Sequence, residues 1–202
     1  MLQHDDSKQT LILASASPRR LELLSQIHIK QDDIVAADID ESAEKNEAPS
    51  LYVRRIAFEK ASKVAKAHPN AFILAADTAV ARGKKILPKA QTNEEVLACL
   101  RELSGKRHTV YTGVCILAPN GAQKSCRHIA TRVSFKRLTQ DEMLHYVETG
   151  DGIGKAGGYA IQGVAGKFVQ WINGSYSAVV GLPLCETATM LEGLGYRANK
   201  KG

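Results

Sequence analysis

Long hydrophobic runs are missing from this chain of 202 residues, and no apolar stretch approaches the length that spans a bilayer. The first nine residues are polar and lack the apolar core of a secretory signal, so export is not expected. Aromatic residues are few, at 5% with one tryptophan, and do not interleave with basic residues. Lysine and arginine are dispersed with no long basic block. The net charge of +6 and pI near 9.1 therefore suit an anionic ligand without describing a nucleic-acid tract. Cysteine is scarce: Cys99, Cys115, Cys126 and Cys185 form no CxxC pair and no zinc spacing with histidine. Such isolated thiols are expected to be reduced core residues of a cytoplasmic protein. The six histidines form no HExxH, and Gly83-Lys84-Lys85 lacks the glycines of a P-loop. Internal repeats and low-complexity linkers are absent as well.

What remains is an ordinary globular composition, 44% hydrophobic and 24% charged, enough for one domain with a substantial core. We place that domain at residues 10–197, between a polar tail at 1–9 and a basic tail at 198–202. Helix and strand signals alternate along it. Leu11-Ile12-Leu13 reads as a strand, and Leu21 onward as a helix with Ser17 as its cap and Pro18 in its first turn. Another helix is expected from about Pro49 to Lys66, then a buried strand at Phe72–Ala76. Capping boxes open helices at Thr92 and Thr139. Long strands at 107–118 and 125–138 are joined through Pro119-Asn120-Gly121. Two short strands meeting at Asn173-Gly174 and a helix from near Pro183 complete an α/β chain around a mixed sheet.

Several positions could carry chemistry, each beside a plainer reading. In Ser15-Ala16-Ser17-Pro18-Arg19-Arg20, two arginines enter a helix start where free N–H groups already make the field positive. They are either partners of a phosphate or two solvated side chains. Asp77, at the end of the Phe72 strand, could bind a metal or act as a base; otherwise it caps the next turn. Lys60 falls inside the apolar stripe of Val53, Ile56, Ala57 and Val64, so it must meet an anion or snorkel outward. Asp38, Asp40 and Glu41 concentrate negative charge that could reach a phosphate through a divalent ion, or form a solvated loop. The segment from Gly154 to Gly163 carries Lys155 and Gln162 among glycines that allow close ligand approach or simply make turns.

Taken in order and spacing, these pieces resemble the Maf family. They are Ser15 to Arg20, Ala76-Asp77-Thr78, Leu103-Ser104-Gly105 with His108, Thr112-Gly113, Lys155 to Gly163, and Gly174-Ser175-Tyr176 through Pro183. The resemblance spans about residues 10–195. It implies a mixed α/β fold with two lobes around a cleft, and a dimeric house-cleaning pyrophosphatase that cuts nucleoside triphosphates to monophosphate and pyrophosphate. It also implies a divalent metal, Mg²⁺ or Mn²⁺. Carried over by position, Ser15, Arg19 and Arg20 match the phosphate turn, Glu41 the acidic metal position and Lys60 the helix lysine. Asp77 matches the catalytic carboxylate, also a metal position here, and Lys89 a second active-site lysine. Gln162 matches the glutamine of the branch acting on dTTP and UTP. Two positions depart from the family pattern: Pro88-Lys89-Ala90 replaces Gly-Lys-Pro, and Gly154 replaces an acidic residue. The resemblance leaves open the branch acting on 7-methyl-GTP and a role as a regulator of septum formation through a protein partner. No membrane and no stable nucleic-acid partner are expected.

Overall fold

The computed structural model describes residues 9–198; most of the polar tail and of the basic tail lies outside the described residues. Strand β1 (Leu11–Leu13) leads into helix α1 (Pro18–Gln26), then β2 (Asp33–Ile34) and the long helix α2 (Pro49–Ala65). Next come β3 (Phe72–Arg82), β4 (Lys85–Ile86), β5 (Lys89–Ala90) and α3 (Asn93–Leu103). Strands β6 (Arg107–Leu117) and β7 (Lys124–Phe135) form the expected hairpin, followed by α4 (Gln140–Glu148) and β8 (Lys155–Ala156). The chain closes with β9 (Val169–Asn173), α5 (Tyr176–Val180) and α6 (Leu184–Gly193).

The main sheet runs in the order β2-β1-β3-β6-β7-β9, with β4 paired to β3. Strands β1, β2 and β3 are parallel and the other pairs antiparallel, which makes the sheet mixed, as the alternation of elements implies. Successive side chains of β1 and β3 alternate between two cores. Leu11, Leu13 and Leu74 enter the larger one with residues of α1, α3 and α4. Ile12, Ile73 and Ala75 enter the smaller one beneath Ala57, Ala61 and Val64 of α2. Gly113 is required at the α2 crossing, because a Cβ there would lie 2.1 Å from the carbonyl oxygen of Val53. A separate ribbon of β5 and β8 sets Lys89 opposite Ala156. It stands across a cleft from the α1 turn.

Four local expectations are corrected. The Phe72 strand does not end at Asp77 but runs to Arg82, because Asp77 and Thr78 continue the ladder opposite Gly113 and Thr112 of β6. Ser17 occupies the cap position of α1 without a side-chain cap bond. After Gly174, with φ near 130°, the chain enters α5 rather than a second strand, and Ser175 caps that helix through Ala178 N–H. Finally, Cys115 and Cys126 are not free thiols. They stand directly opposite each other on β6 and β7, 4.1 Å apart at Cα, and are joined as a disulfide. Their positions in the chain gave no sign of that register, and the pairing removes the thiol argument for a reducing compartment. Cys99 and Cys185 are free. Among the described residues no helix is long and apolar enough to cross a membrane.

Candidate active site

The turn from β1 to α1 opens a cleft of about 580 Å³. Its first wall is Ser15 to Arg20, where the strand has ended, Pro18 brings no N–H to the helix start and the Arg20 N–H donates to the Ser17 carbonyl at 3.2 Å. Ser15 organises this wall. Its hydroxyl oxygen accepts the N–H of Ser17 at 3.2 Å and an Nη1–H of Arg20 at 2.8 Å. Arg20 also donates its Nε–H to the carbonyl of Gly181 at 2.9 Å. Two fixed contacts thus orient its fork. Burial lowers the pKa of both Arg19 and Arg20; Asp77 and Glu41 oppose the shift at Arg20, where the neighbouring Arg19 charge adds to it.

Lys60, on the inward face of α2, forms the centre of the floor. Its ammonium donates to Asp77 Oδ1 at 2.7 Å and meets Glu41 Oε1 at 2.8 Å. The lysine in the apolar stripe therefore meets anions instead of snorkelling. Burial drives the Asp77 carboxyl above the ordinary aspartate value, although Lys60 and Arg20 pull it down. Glu41 is half exposed and moves the opposite way. Burial raises it, but the Lys60 hydrogen bond and charge, with Lys89 and Arg20 behind them, hold it below the ordinary value. Two carboxyl groups pushed apart in this manner have an environment that assigns them different tasks.

Lys89, on the ribbon, lines the opposite wall with Lys155, whose pKa is lowered by burial first and then by Arg19 and Lys89. Much of the remaining lining is apolar and includes Val80, Leu87, Val110 and Val179. Cationic groups at one end and apolar walls beside them suit a molecule with a polyanionic tail and a flat, weakly polar body.

Seven of the eight positions expected from sequence line this one cleft: Ser15, Arg19, Arg20, Glu41, Lys60, Asp77 and Lys89. Gln162 does not. It is exposed in a turn closed by the Gly163 N–H to the Ala160 carbonyl, while Asp151 accepts the N–H of Val164 and draws the following chain inward. Asp38 and Asp40 also stand outside the lining. Sequence reading did not place Tyr52 and Thr78 in the site, yet both line the cleft. Their signals were faint: a tyrosine eight residues before Lys60 and a threonine following Asp77. Thr78 shares a hydrogen bond with Thr112, whose hydroxyl donates to the carbonyl of Ala178 at 2.6 Å.

Among the described residues no group of three or more His, Cys, Asp or Glu is gathered to hold a metal alone. The donor chemistry nonetheless fits a magnesium-like ion. Glu41 and Asp77 each aim an oxygen at a single cation, the Lys60 ammonium, and Mg²⁺ characteristically takes one or two carboxylates while substrate phosphates complete its shell.

The sequence pattern of the Maf-like protein family matches residues 10–194. The dTTP/UTP pyrophosphatase of Caulobacter vibrioides is 52% identical over 187 residues, covering 93% of this chain and 96% of its own. That of Hyphomonas neptunium is 55% identical over 187 residues, with the same coverage of 93% and 96%. Among solved structures, the Staphylococcus aureus Ham1 protein aligns at a TM-score of 0.46 and 14% identity, over 63% of this chain and 72% of its own. With a family match over nearly the whole chain and relatives above half identity, this chain belongs to the Maf family.

Proposed function

We propose that the chain is a nucleoside triphosphate pyrophosphatase that hydrolyses dTTP, UTP and related pyrimidine nucleotides to monophosphate and pyrophosphate. The observation that carries this reading is the convergence of Arg19, Arg20, Lys60 and Lys89 on one cleft that also holds Asp77 and Glu41. Four cations exceed the need of a single phosphate and suit a triphosphate chain. The dTTP/UTP pyrophosphatases of Caulobacter and Hyphomonas, at more than half identity, favour pyrimidine substrates.

In this mechanism Arg19 and Arg20 orient the phosphates through their guanidiniums at the start of α1, and Ser15 with Gly181 keeps the Arg20 fork from swinging. Lys60 and Lys89 stabilise the charge that develops on the departing pyrophosphate. Asp77 accepts the proton of the attacking water. A carboxylate with a raised pKa is a better base than an ordinary one, and its burial keeps bulk water from competing. Glu41 and Asp77 would hold Mg²⁺ or Mn²⁺, which when bound supplies charge neutralisation along the triphosphate. Base choice by Gln162 rests on the family resemblance alone, because its side chain stands outside the cleft lining. A homodimer is likewise a reading of that resemblance.

Pyrophosphate release from a panel of dTTP, UTP, CTP, purine triphosphates and 7-methyl-GTP, with and without a chelator, tests the proposal. Turnover should be highest with dTTP and UTP and vanish on chelation. A clear preference for 7-methyl-GTP would overturn the substrate assignment. No turnover of any nucleotide would remove the enzymatic reading in favour of a regulatory partner-binding role.

A further inference from the structure

Glu41 lies in a stretch without regular structure between the end of β2 at Ile34 and the start of α2 at Pro49. The near end is fixed where the Val35 N–H donates to the Leu13 carbonyl at 3.0 Å. Among the described residues, the hydrogen bonds and ion pairs that tie residues 36–47 to the rest of the protein come from one side of α2. The Tyr52 hydroxyl donates to the carbonyl of Glu41 at 2.9 Å. One turn on, Arg55 donates to the carbonyl of Ser42 at 3.0 Å and grips both carboxylate oxygens of Glu47, at 2.8 and 2.7 Å. Lys60 then takes the Glu41 carboxylate itself.

The Arg55–Glu47 fork is a paired, charge-assisted contact of the strong kind. The Glu47 side chain is 7% exposed and that of Arg55 22%, so the pair is partly sheltered from the solvent that weakens surface ion pairs. Its hydrogen bond to Arg55 is also the chief reason that the Glu47 carboxyl titrates below its ordinary value. Arg55 does not line the cleft. Its contacts have no evident use in binding a substrate, but they fix the height of the segment from which Glu41 reaches inward.

We propose that Arg55, with Tyr52, is a positioning residue that latches the 36–47 loop onto α2 and thereby sets Glu41 for cation and phosphate binding. This rests on the assignment of Glu41 to the site under the proposed function. Without the latch, Glu41 would be held by its bond to Lys60 alone, and the loop would pay an ordering cost each time the site assembles. The loss would appear in the concentration of Mg²⁺ needed and much less in the rate once the site is filled.

Two variants outside the cleft, Arg55→Met and the milder Glu47→Gln, test this by two readouts. Lys45 stands exposed in the loop beside Asn46, so trypsin reports directly on opening there. Cleavage of the Lys45–Asn46 bond in Arg55→Met should be at least tenfold faster than in the native protein, with a smaller gain in Glu47→Gln. The Mg²⁺ concentration for half-maximal pyrophosphate release from UTP should rise on the order of tenfold, while kcat at saturating Mg²⁺ stays within about threefold. Unchanged cleavage at Lys45, or a fall in kcat with unchanged Mg²⁺ dependence, overturns the latch. If the native protein released no pyrophosphate, the functional reading would fall by itself, and the proteolysis would still decide the latch.

Discussion

Replacing Asp77 by Asn preserves the shape of the side chain and removes a base and a negative charge from the centre of the site. Asn Oδ1 can still accept from the Lys60 ammonium, which also keeps Glu41 as its counter-ion at 2.8 Å, so no lone charge is left buried. Loss of a general base costs on the order of 10²–10⁴ in rate, or about 3–5 kcal/mol of barrier. The stability change has the opposite sign. Folding raises the pKa of Asp77, so in the window above the ordinary aspartate value the folded chain holds a proton that the unfolded chain releases. Ionising Asp77 thus weakens the fold as pH rises through that window. The Asn variant lacks this penalty. Its Tm at pH 7.5 should equal or exceed that of the native protein, and the gap should narrow as pH falls towards about 4. Steady-state pyrophosphate release and thermal melts across this pH range measure both effects. Activity within a few-fold of the native rate would refute the base assignment, leaving Asp77 as a structural partner of Lys60 and Glu41 as the next candidate. A neutral-pH Tm well below the native value would refute the electrostatic argument.

Other substitutions separate the remaining roles. Lys60→Met should abolish turnover and, unlike Asp77→Asn, lower the Tm at neutral pH, because Asp77 loses its nearest cation; acidification should recover the Tm by protonating Asp77. Normal kinetics in that variant would show that Lys60 serves only as a counter-ion. Gly113→Ala places a Cβ against the α2 backbone and should cost more than about 3 kcal/mol in urea unfolding; a loss below about 1 kcal/mol would mean that α2 can shift. Gln162→Ala should flatten the ranking of UTP and dTTP over CTP. An unchanged ranking would return base choice to Thr78 and Tyr159, which line the cleft.

The sheet strands and helices were legible because their signals are local. The apolar run of Phe72 to Ala76, the capping residues Thr92 and Thr139 and the hairpin at Pro119-Asn120-Gly121 each specify a neighbour-range geometry. The strand-to-helix turn from Ser15 to Arg20 was legible for the same reason, and Lys60 because one charge broke an apolar stripe. What depends on register was not legible. The strand running through Asp77 needs β6 alongside it, and the Cys115–Cys126 disulfide needs two strands to meet at one particular pairing. Tyr52 and Thr78 entered the cleft through packing, and neither position has a composition that announces it. Gln162 shows the converse: a residue expected from a motif stands exposed, outside the cleft lining.

The identity of the products settles where the triphosphate is cut. With UTP or dTTP and Mg²⁺, phosphorus NMR of the completed reaction should show nucleoside monophosphate and pyrophosphate as the sole products. Orthophosphate and nucleoside diphosphate would place the cut at the terminal phosphate and contradict a pyrophosphatase.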